Sequence, residues 1–367
     1  MDIYEKYNLK HVINADGKMT ILGVSKVSNE VVAAQKLGAQ NFFEMADLSI
    51  QTGKYLANLV GSEDALVVNS ASAGIAETIA GIIGQGSMYH VYHPYTDKIT
   101  KREVILPMGH DVDYGTPVDV MLGVGGAKMV QAGYANMCTP EHIAMQITDQ
   151  TAAILYIKSH HTVQKSMLSI PDAIEVAHNH NLPLILDAAA EEDLYKYIKM
   201  GADVVIYSGA KAIEGPASGV IFGKKNYIKW ARMQGAGIGR AMKIGKENII
   251  GLTTAIAKYL TEGPETGDAM IDRLEPFVEK LSELPNMDVK IIQDAAGRDI
   301  YRAEVKPTGA LTALEICDQL RNGKIAIYAR EYRVNQGIIE FDIRSVNHKE
   351  MDQIVSRLEE IVGGKQK

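Results

Sequence analysis

The sequence predicts an α/β fold, with a mostly parallel central sheet followed by a small C-terminal α+β domain. Three observations carry that reading. Short apolar runs alternate with helical segments from about residue 67 to residue 223, as in a doubly wound sheet. Several of those runs end in polar or small residues, where open α/β sheets place their ligands. The pattern then changes at Gly263-Pro264-Glu265-Thr266-Gly267, which breaks a long helix. The division expected is an N-terminal segment at 1–25, a large domain at 26–262 and a small domain at 263–367.

The elements follow in order. A short strand is expected at His11–Asn14, and helix over 28–60. A strand ends at Val67-Val68 and runs into the small-residue turn Asn69–Gly74. Ile75–Ile83 reads as a buried helix rich in Ala and Ile. Strands are expected at Val104–Pro107, Lys128–Val130, Ala152–Ile157, Leu182–Leu186, Val204–Tyr207 and Val220–Gly223. Helix is expected near Ile143–Ile147, at Pro171–His180, where the proline suits a first turn, at Glu191–Met200 and at Glu247–Tyr259. Past the break, helix Met270–Leu284 leads to strand candidates Val289–Gln293, Arg302–Val305, Ala326–Ala329 and Ile338–Asp342. These read as an antiparallel sheet, closed by helix His348–Val362.

At 367 residues, 46% hydrophobic and 23% charged, the chain has the makeup of a soluble globular protein with a sizeable core. Its formal charge of −7 argues against a nucleic-acid-binding surface, which normally carries a basic excess. Cys138 and Cys317 form no CxxC pair and no metal spacing, which fits a cytoplasmic protein. No signal peptide or membrane span is expected.

Lys211 stands out in Tyr207-Ser208-Gly209-Ala210-Lys211-Ala212-Ile213-Glu214-Gly215-Pro216. A lysine at the mouth of a buried strand is either a solvated loop residue or a desolvated amine able to attack a carbonyl carbon. The preceding strand ends in Asp187. Asp187 is either a helix N-cap or the acid that keeps a pyridine nitrogen protonated. Together the strand-end acid and the strand-end lysine suit pyridoxal phosphate.

Ser70-Ala71-Ser72-Ala73-Gly74 is either a Ser-capped turn or an anion cradle at a helix N-terminus. Ser208 could add a hydrogen bond to that anion, and Ala189, two residues past Asp187, completes the expected cofactor contacts. His110 follows a strand and is a candidate to stack on the cofactor ring, with Tyr114 as its rival. Arg240 and Lys243, three apart, would share a face if helical and could hold a phosphate or carboxylate. His160 and His161 follow a strand end, and no carboxylate or cysteine completes a metal site there. Substrate contact is the better reading for that pair, and no metal is expected.

With these residues in place, the chain resembles the selenocysteine synthase (L-seryl-tRNA selenium transferase) group of fold-type I pyridoxal phosphate enzymes, over about residues 10 to 260. That family carries its cofactor lysine in Ser-Gly-Asp-Lys followed by Gly-Gly-Pro. Ser208-Gly209-Ala210-Lys211 and Glu214-Gly215-Pro216 stand in those places. Ala177-His178-Asn179-His180-Asn181-Leu182-Pro183 and Asp187 echo its Ala-His-x-His-Gly-Leu-Pro, strand, Asp. Arg240-Ala241-Met242-Lys243 echoes its Arg-Ala-Leu-Arg. Three departures speak against a tRNA substrate: Ala210 in place of the acid, Lys243 in place of the second arginine, and a matching segment that starts almost at Met1.

The chain is more similar to a shorter branch of that group, the D-glucosaminate-6-phosphate ammonia-lyases. The resemblance implies an aspartate aminotransferase-like fold, at least a homodimer, and a phosphorylated 2-amino sugar acid as substrate. It implies Lys211 as cofactor anchor and Cα base, and Asp187 as partner of the ring. Elimination of water across Cα and C3 would then release ammonia. Alternatives on the same scaffold are β-replacement, aldol cleavage or racemisation. From another class comes a non-catalytic tRNA-associated protein.

Overall fold

A computed structural model describes residues 2–159, 161–294 and 298–363. Its strands are β1 (His11–Ala15), β2 (Asp64–Val68), β3 (Glu103–Pro107), β4 (Lys128–Ala132), β5 (Thr151–Ile157), β6 (Leu184–Asp187), β7 (Val204–Ser208), β8 (Gly219–Gly223), β9 (Met287–Gln293), β10 (Tyr301–Pro307), β11 (Ile325–Ala329) and β12 (Ile339–Phe341). Two compact units emerge, Val27–Gly263 and the pair Met1–Lys26 with Pro264–Lys367.

The unit Val27–Gly263 is built on a seven-stranded sheet ordered β2-β8-β7-β6-β5-β3-β4. Only β8 runs against its neighbours β2 and β7; the other pairings are parallel. β5 and β8 are buried along their whole length, which explains their unbroken apolar runs. Helix Ala71–Gly84 is buried from Ala73 to Gly84 and lies against the sheet. Ile75, Ile79, Ile82 and Ile83 each bury a side chain worth about 2–3 kcal/mol. Its other face meets helix Lys225–Met233 so closely that a Cβ on Gly81 would lie 2.7 Å from the Ala231 nitrogen.

Several expectations are refined. The helix after β2 starts at Ala71, so Ala71–Gly74, read as a turn, form its first turn. The Ser70 hydroxyl caps it by accepting from the Ala73 N–H at 3.0 Å. Helix expected over Glu191–Met200 shrinks to Lys196–Lys199, because the Asp193 carboxylate takes the N–H groups of Tyr195 and Lys196 in a turn. Helix Ala313–Arg321 was not expected. Its signal was the capping box Thr312–Glu315 ahead of an apolar stripe.

In the other unit β12-β10-β9 form an antiparallel sheet, but β11 does not join it. β11 pairs in parallel with β1, His11 to Ile325 through Ala15 to Ala329. That ladder ties the first residues of the chain to its last hundred, and Ile13, Leu274, Phe277, Phe341 and Ile354 share one core. Inside it Arg302, 2% exposed, bridges Asp294 at 2.9 Å and Asp342 at 3.1 Å. Among the described residues no helix is long and apolar enough to cross a membrane.

Candidate active site

The strand register brings three chain segments to one edge of the sheet. Ser208 at the end of β7 pairs with Gly219 of β8, and Gly219 pairs on its other side with Val68 of β2. Strands lie about 4.8 Å apart, so Val68 and Ser208 are about 10 Å apart across the sheet. Ser70 follows Val68 by two residues, and Lys211 follows Ser208 by three. Gly219 has no room for a side chain: its Cβ would lie 2.6 Å from the Ser70 carbonyl carbon and 2.7 Å from the Ala71 nitrogen. The start of β8 therefore presses on the N-terminus of helix Ala71–Gly84. Ser70, Ala71 and Ser72 remain partly open there, while Ala73 is buried.

Asp187 ends β6, next to β7, and is 6% exposed. The Ala189 N–H donates to its Oδ1 at 3.0 Å, and the Ser208 N–H donates to the Ala189 carbonyl at 3.2 Å. Ala189 thus ties the ends of β6 and β7 together. Burial pushes the Asp187 carboxyl up to about 6, against the lowering pull of the Ala189 N–H and the Lys211 charge. The ammonium of Lys211 is the cation that acts on Asp187.

The lysine loop is tightly held. The Gly209 N–H donates to the Ser218 carbonyl at 2.8 Å, and the Gly215 N–H to the Gly209 carbonyl at 2.7 Å. A Cβ on Gly209 would sit 2.3 Å from Ser218 Oγ and 2.6 Å from Leu252 Cδ1. Glu214 takes a left-handed φ of 55° to close the turn. Lys211 itself is half-buried.

Tyr114 and His110 part company. Tyr114 is half-buried, and Ser72 and Asp187 both act on its hydroxyl, which burial pushes up to about 12. His110 is fully buried, with Nδ1 accepting from the Ile157 N–H at 3.3 Å and its ring edge-on to Tyr156 at 4.5 Å. Burial pushes its imidazole down to about 4, so it stays neutral. It presents no open face for stacking, and Tyr114 is the aromatic residue beside Asp187 and Ser72. The sequence could not separate the two, because both follow β3 within seven residues.

Arg240 and Lys243 do not share a helix face. Arg240 ends a short 3-10 turn, Ile238–Arg240, and Lys243 lies in irregular chain beyond it; both are exposed. The glycines around them break the helix that the three-residue spacing suggested. His161 is exposed, and its N–H donates to Ser159 Oγ at 3.2 Å. His160 lies outside the described residues. Lys158, just past the end of β5, sits beside Asp187, since its N–H donates to the Asp187 carbonyl at 2.8 Å. Among the described residues no three His, Cys, Asp or Glu side chains gather as metal ligands. Sequence reasoning passed over Glu77, a buried acid on the helix behind Ser70. The visible sign was a lone carboxylate in an otherwise apolar helix.

Residues 12–295 match the family model of L-seryl-tRNA selenium transferase, SelA. The chain belongs to that family. Its sheet and flanking helices are the fold-type I arrangement of pyridoxal phosphate enzymes. It is 45% identical to the D-glucosaminate-6-phosphate ammonia lyase of Salmonella typhimurium, over 98% of both chains. A solved structure of D-glucosaminate-6-phosphate ammonia-lyase superposes with a TM-score of 0.95 at 44% identity, covering all of both chains. A third relative, 5'-C-glycyluridine monooxygenase-decarboxylase from a Streptomyces species, is 32% identical over 98% of this chain and 92% of its own.

Proposed function

We propose that this family member is a pyridoxal phosphate-dependent ammonia-lyase. Its substrate is D-glucosaminate 6-phosphate, and its products are 2-keto-3-deoxy-6-phosphogluconate and ammonia. One observation carries the reading: Lys211 and Asp187 come together at the ends of adjacent strands, in a chain 45% identical end to end with a lyase of that name.

The residues present fit the cofactor. Asp187 is the buried acid for the pyridine nitrogen, and Lys211 is the amine for the aldehyde. Ser70–Ala73 supply a capped helix N-terminus for the phosphate, and Ser208 and Ala189, joined by a hydrogen bond, would add further cofactor contacts. Tyr114, on whose hydroxyl Ser72 and Asp187 both act, would cover the ring. When bound, the cofactor withdraws electrons from the substrate Cα and makes its proton acidic.

This chain's residues then divide the work. Asp187, as carboxylate, holds a proton on the pyridine nitrogen. Lys211 Nζ, held in a rigid loop, takes the Cα proton. Loss of the C3 hydroxyl as water gives an enamine, which tautomerises and hydrolyses to the 2-keto-3-deoxy acid and ammonia. Arg240 and Lys243 hold the substrate phosphate, and His161, with His160, contacts the polyol. The protein works as a homo-oligomer, at least a dimer, in the cytoplasm, and needs no nucleic acid and no metal. Light scattering tests the assembly.

The deciding experiment is an absorbance spectrum before and after D-glucosaminate 6-phosphate is added, with ammonia measured alongside. A cofactor band and ammonia release support the reading. A band without ammonia overturns the substrate. A second reading, another reaction on the same scaffold, is favoured by the 32% identical relative, whose name describes different chemistry. Product analysis on a panel of phosphorylated amino acids separates the two.

A further inference from the structure

Glu77 is a buried acid that the proposed reaction does not use. It is 6% exposed, on the helix Ala71–Gly84, and lines a cavity of about 180 Å³. The other walls are Met45 and Ser49 from one helix, Leu66–Val68 of β2, Arg232, Ile249 and the segment Gly235–Ile244. The titratable groups facing this cavity are Glu77, Arg232 and Lys243. Arg232 turns its two terminal nitrogens elsewhere, to both Asp64 oxygens at 3.1 Å and the Ala65 carbonyl at 2.8 Å, and its Nε–H is buried without an acceptor. Burial alone moves the Glu77 carboxyl, up to about 8, so no cation compensates it. At neutral pH it is an uncharged acid with one proton to donate.

What stands against it is Gly239. A Cβ there would lie 3.0 Å from the Glu77 carboxyl carbon and 2.8 Å from the Gln234 carbonyl oxygen, so the glycine is wedged between the two. Gln234 is 2% exposed. Its amide nitrogen donates to the Trp230 carbonyl at 3.3 Å, and that fixes the amide orientation. Its side-chain oxygen is buried with no donor. Glu77 has a proton to donate, and the Gln234 side-chain oxygen lacks a donor, while the Gln234 backbone carbonyl already accepts from the Gly237 N–H at 2.8 Å.

We propose that Glu77 is the positioning residue for the turn Gln234–Lys243, holding it by donating a hydrogen bond to Gln234 and so placing Arg240 and Lys243. The inference rests on the reading of Arg240 and Lys243 as the phosphate contacts. Ionisation would remove the donor and leave an unpaired anion under Gly239. The turn would then open to admit water, or Lys243 would swing inward to pair with Glu77. Either movement withdraws a cation from the substrate.

The test compares the loaded protein with Glu77→Gln, which keeps a donor and has no charge, and with Glu77→Met, which keeps the volume and has no donor. The first readout is backbone hydrogen exchange over residues 234–244, compared between variants at the same pH. At pH 7 the native protein and Glu77→Gln should exchange alike; above pH about 8 the native protein should exchange faster than Glu77→Gln at the same pH, and Glu77→Met should be the faster already at pH 7. Equal protection in all three at every pH overturns the proposal. The second readout is KM for D-glucosaminate 6-phosphate. In the native protein it should rise above pH 8, approaching roughly tenfold per pH unit, with kcat little changed and Glu77→Gln flat. Altered exchange with unaltered KM overturns the link to substrate. If no variant releases ammonia, the substrate assignment falls, and the exchange data still decide the role of Glu77.

Discussion

Lys211 acts on Asp187 across the ends of neighbouring strands: burial raises the carboxyl, and the Ala189 N–H and then the lysine charge pull it back, to about 6. The carboxyl is not tuned by its own strand alone. The acid needs the closed end of β6, and the amine needs a loop that cannot drift away from it.

Removing the amine tests that pairing most directly. Lys211→Ala is expected to abolish ammonia release and the visible absorbance of bound cofactor. The half-buried site tolerates the smaller side chain, so the melting temperature of the apo-protein should change little. Retention of both signals would refute the assignment.

Asp187 has a pH signature with a definite sign. Its folded value is raised from 3.8 to about 6, so the folded state binds the proton more tightly. In apo-protein, stability is therefore lost as pH rises from about 4 to about 6 and is level above that. Asp187→Asn removes this dependence, and its relative gain should grow to about 3 kcal/mol across the window, an upper figure. Denaturant melts at pH 4 and pH 7 measure it. In the loaded enzyme the same substitution should lower kcat by about 100-fold or more, because the ring nitrogen loses its anion.

Two glycines should fail differently. In Gly219→Ala the new methyl meets the Ser70–Ala71 peptide, which is held by a strand and a helix. In Gly209→Ala it meets the Ser218 hydroxyl and a Leu252 methyl, which are side chains that can shift. Gly209→Ala should cost about 1–3 kcal/mol and Gly219→Ala more, with cofactor retention lost first in the latter. Thermal melts and cofactor content after dialysis check the order.

The buried cation of the other unit predicts a loss at low pH. Arg302 and Arg298 hold the Asp294 carboxyl far below the usual range, so its stabilisation is present at neutral pH and lost as pH falls. Arg302→Leu leaves two buried acids with one arginine partner each, Arg298 and Arg344. We expect a cost of about 3 kcal/mol at pH 7 that shrinks on acidification, measured by denaturant unfolding.

The sequence already carried the sheet, because strands buried on both faces show as unbroken apolar runs. It also carried the acid and the lysine, since each closes such a run. It was less informative where the signal is not periodic. β11 reads like any other strand of an antiparallel set, and only its pairing with β1, some 300 residues earlier, assigns it elsewhere. Arg240 and Lys243 have helical spacing on a chain that the surrounding glycines keep from being helical.

What the sequence determined by itself, then, was local chemistry: which residues end strands, which start helices, and which acid and amine stand in the right order. Tertiary structure decided everything that depends on depth and neighbours. It buried His110 and left Tyr114 beside Asp187, though both follow the same strand. It made Glu77 an uncharged acid by closing a cavity around it. Desolvation and contact depend on atoms that are far apart in the chain, so residue order alone does not encode them in any short pattern.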